Sequence, residues 1–82
     1  MKRAVIESME IAAETFGLSL AETLGKSRAR PLPDARKVGW LLAHEDGWTV
    51  RSIALRCGMH HTSVLYGLGY LRDRMRVNEH PL

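Results

Sequence analysis

Hydrophobic positions recur along this chain at helical spacing, and they divide into about five stretches separated by glycine, proline and capping residues. In the first stretch, Val5, Met9, Ala12, Ala13 and Phe16 make the inward stripe of a helix spanning roughly residues 2 to 16. Glu7, Glu10 and Glu14 lie opposite, and Gly17 supplies the stop. Ser19 and Glu22 have the spacing of a capping box, which satisfies two otherwise orphaned amides and so starts a short second helix. Its Leu20 and Leu24 can pack back on the first helix, and Gly25 closes it. The stretch 25–33, GKSRARPLP, breaks helix with two prolines and a glycine and is the clear loop. Pro33 in a first turn and Asp34 near an N-terminus suit a third helix running to about Ala43 or His44. Ala35, Val38, Gly39 and Leu42 form its inward face, with Trp40, Arg36 and Lys37 on the other side. A mid-helix glycine costs about 1 kcal/mol relative to alanine, so Gly39 marks a close helix crossing.

The stretch 49–75, TVRSIALRCGMHHTSVLYGLGYLRDRM, has the layout of a helix-turn-helix. Glu45, Asp46 and Gly47 turn into it, and Trp48 is placed as a hydrophobic staple before a Thr49 N-cap. Val50, Ile53, Ala54 and Cys57 share one face of a short helix that Gly58 stops. Val64, Leu68, Leu71 and Met75 then line one side of a second helix, with Thr62 and Tyr66 on the opposite side. Gly67 and Gly69 point to tight packing there, and Val77 to Leu82 read as a frayed tail. The expected fold class is therefore all-α: one domain over 1–82, about five helices, with the motif at 49–75 and a basic loop at 25–33.

Length and charge narrow the function. A chain of 82 residues can build one helical core but no deep, separately built enzyme pocket. No apolar run approaches the ~20 residues needed to span a bilayer. The opening MKRAVIESMEIAAE begins with a basic pair as a signal peptide does, but Glu7, Glu10 and Glu14 interrupt any apolar segment, which leads to a cytoplasmic expectation. The single cysteine, Cys57, lies on an apolar helix face and reads as a small core residue. Net charge is +3, and its distribution says more than its size. Acidic residues gather in the first two helices, whereas Lys26, Arg28, Arg30, Arg36 and Lys37 crowd into the loop and the helix after it. Arg51 and Arg56 follow in the motif, so the basic side is the helix-turn-helix side.

This pattern points to nucleic acid. Lys26, Arg28 and Arg30 occupy alternate positions, which an extended chain would turn to one side, toward phosphates or a narrow minor groove. Thr62 and Ser63 fall in the first turn of the second motif helix, short enough to approach base edges, and Tyr66 lies one turn on. His60, His61, Thr62, Ser63 and Tyr66 are thus the candidate base contacts, and Lys26, Arg28, Arg30, Arg51 and Arg56 the phosphate or minor-groove contacts. Five such cations predict a log-log salt slope of roughly −4 to −5. His60, His61 and Cys57 do not make a metal site, because adjacent helical histidines diverge by about 100° and a fourth ligand is missing. No catalytic constellation or phosphate-binding glycine loop stands out, so neither enzyme activity nor a cofactor is expected.

From about Ala12 to Met75 the chain resembles the C-terminal DNA-binding domain of the bacterial replication initiator DnaA. Leu24-Gly25-Lys26-Ser27-Arg28-Ala29-Arg30 is similar to that family's L-G-K-x-R-x-R basic loop. Ala35-Arg36-Lys37-Val38 through Leu41-Leu42-Ala43-His44-Glu45 resembles the A-R-Q-I-A-x-x-L-x-R-E helix. His61-Thr62-Ser63-Val64-Leu65 resembles the D-H-T-T-V signature. The resemblance implies a basic-loop arginine in the minor groove, with His61 and Thr62 on thymine methyls and base edges in the major groove. Where the family reads F-G-G-R-D-H, this chain has Cys57-Gly58-Met59-His60-His61: the turn is one residue shorter, and His60 replaces a carboxylate that accepts from cytosine.

Without the initiator's ATPase module, the expectation is a transcriptional regulator of the kind carried by phages or gene-transfer elements, at the nucleoid, with double-stranded DNA as partner. Two other readings are a competitor for initiator sites and a protein-interaction adaptor. RNA polymerase or another regulator would be met through an exposed Trp40 or Ile11. Dimerisation is left open: helix-turn-helix proteins often pair, the resemblance to the initiator domain implies a monomer, and no heptad seam is visible.

Overall fold

The computed structural model describes residues 2–79, with side chains through residue 75. Five α-helices follow in order: α1 Val5–Thr15, α2 Leu20–Leu24, α3 Leu32–Glu45, α4 Val50–Cys57 and α5 His61–Glu79. No strand forms among the described residues, and the fold is all-α as expected. No helix among them is long and apolar enough to cross a membrane.

Local signals set most helix ends. Ser19 and Glu22 form the full capping box, with Ser19 Oγ accepting from Glu22 N at 3.1 Å and Glu22 Oε1 accepting from Ser19 N at 3.1 Å. That backbone bond, reinforced by the Ser19 hydroxyl, holds the Glu22 carboxyl below its ordinary value. Thr49 caps α4 by accepting from Ser52 N at 3.1 Å. At the other end of α4, Gly58 takes φ +67, a left-handed conformation that lets Met59 N reach back to Ala54 O at 2.9 Å. Gly47, at φ +105, closes α3 in the same way, with Trp48 N donating to Ala43 O at 3.1 Å.

α1 and α3 make the most extensive helix pairing. Gly39 is the reason they come so close, because a Cβ there would lie 2.5 Å from Met9 Sδ and 3.3 Å from Met9 Cα. Val5, Met9, Ala12 and Ala13 are buried as the first stripe predicted, while Phe16 at its end is half-buried. The core continues through Trp40 and Ala43 of α3, Ile53, Ala54 and Cys57 of α4, and Val64 and Leu68 of α5. Trp48 seals the junction of α1 and α4, its Nε1 donating to Arg3 O at 2.8 Å. Lys2 and Arg56 sit over the Trp48 ring, with their cationic atoms 4.0 and 4.6 Å from its centroid. Arg3 Nε lies 3.1 Å from Asp46 Oδ2, an ion pair by distance though not aligned as a hydrogen bond.

Five expectations are corrected. Trp40 is only 6% exposed and so is not a partner surface; α5 covers it, with Gly67 pressed against its ring. Arg36, expected outside, is buried beside it. Met75 is 44% exposed rather than inward-facing, because α5 is roughly 28 Å long and outruns the shorter helices it packs on. Val77 is not the start of a frayed tail, since α5 continues to Glu79; residues 80–82 lie outside the described residues. Gly67 has the expected tight packing, but a Cβ on Gly69 would meet nothing within 4 Å.

Candidate nucleic-acid interface

A cleft of about 580 Å³ opens where the 25–31 loop, α3 and the start of α5 meet. The loop contributes Lys26 and Arg28, and α3 contributes Arg36, Lys37 and the edge of Trp40. The α4–α5 turn and α5 add His60, Ser63, Tyr66 and Tyr70. Four cations border this cleft and no acidic residue lines it. It therefore concentrates positive potential between walls that are partly aromatic.

α2, which leads into the loop, is tied to α3. Arg36 Nε donates to Thr23 O at 2.8 Å, satisfying a carbonyl left free at the end of α2. Thr23 is itself fully buried, its hydroxyl donating to Ser19 O at 2.9 Å. Arg36 is 6% exposed, and burial pulls its guanidinium below its ordinary value. Its Nη2 is buried with no hydrogen-bond partner. Lys37 stands at the rim, its Nζ 3.9 Å from Asp34 Oδ1 and 4.6 Å from the Tyr70 ring centroid. Arg74, one turn further along α5, places its guanidinium 4.8 Å from the same ring.

At the head of α5 His60 acts as the cap. Its Nδ1 accepts from Thr62 N at 3.2 Å and lies 2.7 Å from Thr62 Oγ1. An accepting Nδ1 leaves the neutral ring's proton on Nε2, so His60 presents a donor to a partner where a carboxylate would present an acceptor. The His60 and His61 rings stack at 4.6 Å and 27°, which orients His61 from its neighbour. Ser63 and Tyr66 are exposed, Tyr66 at 76%, while Thr62 is half-buried by its contact with His60. Leu65, beside them, is 53% exposed.

The candidate residues therefore divide. Lys26, Arg28, His60, Ser63 and Tyr66 come together around one cleft, with His61 and Thr62 adjoining through His60. Arg30, although exposed, does not line the cleft, so alternate spacing in the loop does not bring all three basic residues to it. Arg51 and Arg56 on α4 do not line it either, and Arg56 is occupied by Trp48. Sequence reasoning missed Arg36, Lys37 and Tyr70 as site residues. For Tyr70 the signal was available in its position four residues after Tyr66, on the same helix face. No protein-family model matches the chain, and no solved structure matches it.

Proposed function

We propose that this protein binds double-stranded DNA sequence-specifically and regulates transcription at the nucleoid, as a binding protein and not an enzyme. One observation carries the reading: Lys26 and Arg28 come from a loop more than thirty residues before α5, yet they share a cleft with His60, Ser63 and Tyr66 at its start. In this reading α4, the turn at Gly58 and α5 act as a helix-turn-helix, with α5 entering the major groove by its first turns. His61, Thr62 and Ser63 meet base edges, and Tyr66 extends the contact along the helix. The basic loop holds the phosphates or the adjoining minor groove, which gives affinity and register without sequence information.

His60 sharpens the base preference. With Nδ1 occupied by the cap, its free donor suits an acceptor such as guanine O6 or N7, and not the cytosine amino group that a carboxylate would take. The preferred site therefore departs from that of the initiator family this chain resembles. Ile11, 42% exposed, remains available to a protein partner such as RNA polymerase. The adaptor alternative loses its main anchor with the burial of Trp40.

The test is a genome-wide binding profile of the tagged protein, compared with that of Thr62→Ala. Sharp peaks that share a motif and vanish in the variant are expected. A flat profile that the substitution leaves unchanged overturns the reading.

A further inference from the structure

We propose that the floor of the cleft is a binding site for a free nucleotide, meaning a small anion that joins a phosphate to an aromatic base. It shares Lys26, Arg28 and Tyr66 with the DNA interface proposed above and is set apart from it by Arg36, Lys37 and Tyr70, which that reading does not use. Arg36 is 94% buried and has no carboxylate partner among the described residues; its one hydrogen bond goes to the Thr23 carbonyl, and Nη2 has none. A buried guanidinium with an unused N–H edge is unfavourable unless something accepts from it, and Arg presents a planar fork that matches phosphate oxygens. Arg36 lines the cleft, where Lys26, Arg28 and Lys37 add three further cations; no acid lines it, and Asp34 meets only Lys37, from outside the lining at 3.9 Å. A phosphate seated among Lys26, Arg28 and Lys37 neutralises the cluster, and the Arg36 charge beneath them adds to its attraction, although Nη2 itself has no accessible surface.

The opposite part of the same space is aromatic. Tyr66 and Tyr70 lie one turn apart on α5, and the Trp40 edge closes the bottom against Gly67. Lys37 already rests over the Tyr70 ring, so cation, ring and phosphate site are contiguous. A planar base stacks on Tyr66, and on Tyr70 where it displaces Lys37 or Arg74 from the ring, in a manner tolerant of base identity. The volume of about 580 Å³ lies within the range of small-molecule sites. Because Lys26, Arg28 and Ser63 border both sites, an occupied floor competes with DNA at the rim.

The test uses isotope-labelled protein titrated with AMP, ribose 5-phosphate, adenosine and a short duplex, following the amide signals of Lys37, Ser63, Gly67 and Tyr70. AMP at millimolar concentration should shift them saturably, with ribose 5-phosphate and adenosine each weaker by roughly tenfold or more. Arg36→Gln is the diagnostic variant: its Nε2 takes the place of the arginine Nε and keeps the bond to Thr23, while the charge and the Nη edge are lost. It should weaken AMP at least about tenfold with the fold intact. Should it unfold, Tyr70→Ala serves instead and should erase the preference of AMP over ribose 5-phosphate. No shift with AMP, or equal binding of AMP by wild type and folded Arg36→Gln, overturns the proposal. If the duplex alone shifts these signals, the floor belongs to the DNA interface and the nucleotide site falls while DNA binding stands. If AMP binds and no duplex does, the reverse holds.

Discussion

Two glycines two residues apart on α5 allow helix propensity to be separated from packing. Gly67→Ala and Gly69→Ala are the same chemical change in the same helix, and on propensity alone each gains roughly 0.4–1 kcal/mol. At Gly69 the added methyl meets nothing within 4 Å, so the whole gain should be realised. At Gly67 it would sit 2.6 Å from Trp40 Cζ3 and 2.7 Å from Cε3, with Lys37 Cγ at 3.2 Å. Lys37 can swing aside. The Trp40 ring cannot, because it is 6% exposed and wedged into the core with Cys57, Val64 and Leu68. Overpacking of this kind costs about 1–3 kcal/mol, which outweighs the propensity gain. The two variants should therefore differ by roughly 1–3 kcal/mol, with Gly69→Ala more stable than wild type and Gly67→Ala less stable. For a domain of this size each kcal/mol moves Tm by about 4–8 °C, so thermal unfolding followed by circular dichroism resolves the difference. If Gly67→Ala is stabilised as much as Gly69→Ala, α5 does not lie against Trp40, and the cleft bounded by both is wrongly assembled.

Removing the α2 cap with Ser19→Ala should lower stability by about 1 kcal/mol in urea unfolding. The same variant should flatten the acid limb. The depressed Glu22 carboxyl contributes stability that is present above its ordinary value of 4.5 and lost as pH falls through its lower folded value. At the alkaline end, burial raises the Cys57 thiol, with Trp40 pulling more weakly the other way. The native state then resists ionisation that the unfolded chain permits from its ordinary value of 9.0 upward, so stability should fall as pH rises from there through the folded value. Cys57→Ala should lose this component, which urea midpoints compared between about pH 8 and pH 10.5 would detect. In DNA binding, Lys26→Ala with Arg28→Ala should reduce the log-log salt slope by about 1.8 in magnitude, at roughly 0.9 per phosphate contact. Arg56→Ala, whose guanidinium rests on Trp48 and does not line the cleft, should leave the slope unchanged.

The helices and their caps were legible in the sequence because they depend on near neighbours. The Ser19 box, the Thr49 cap and the stop at Gly58 each follow from residues within a few positions, and the Gly39 crossing was legible only because a mid-helix glycine is costly without one. What was not legible depends on which helix covers which face. α3 is buried on more than one side, by α1 at Gly39, by α5 at Trp40 and with Arg36 tied to α2, and a single apolar stripe describes only the first. Ser8 is fully buried on the same face as Val5 and Met9; its period indicated this, but its residue type did not. The candidate site was half legible. Charge runs and the polar first turn of α5 indicated the rim, but the floor depends on Arg36 reaching Thr23 across thirteen positions. No local pattern encodes that contact.

In the proposed DNA complex the first turn of α5 reads bases while the basic loop holds the backbone on the same face. Selection of binding sites from a randomised duplex library, run with wild type, Thr62→Ala and Arg28→Ala, tests it most directly. Wild type should yield one enriched motif, Thr62→Ala a changed or relaxed motif, and Arg28→Ala the wild-type motif at lower affinity. An absence of enrichment with wild type, or a motif that Thr62→Ala leaves untouched, would contradict it.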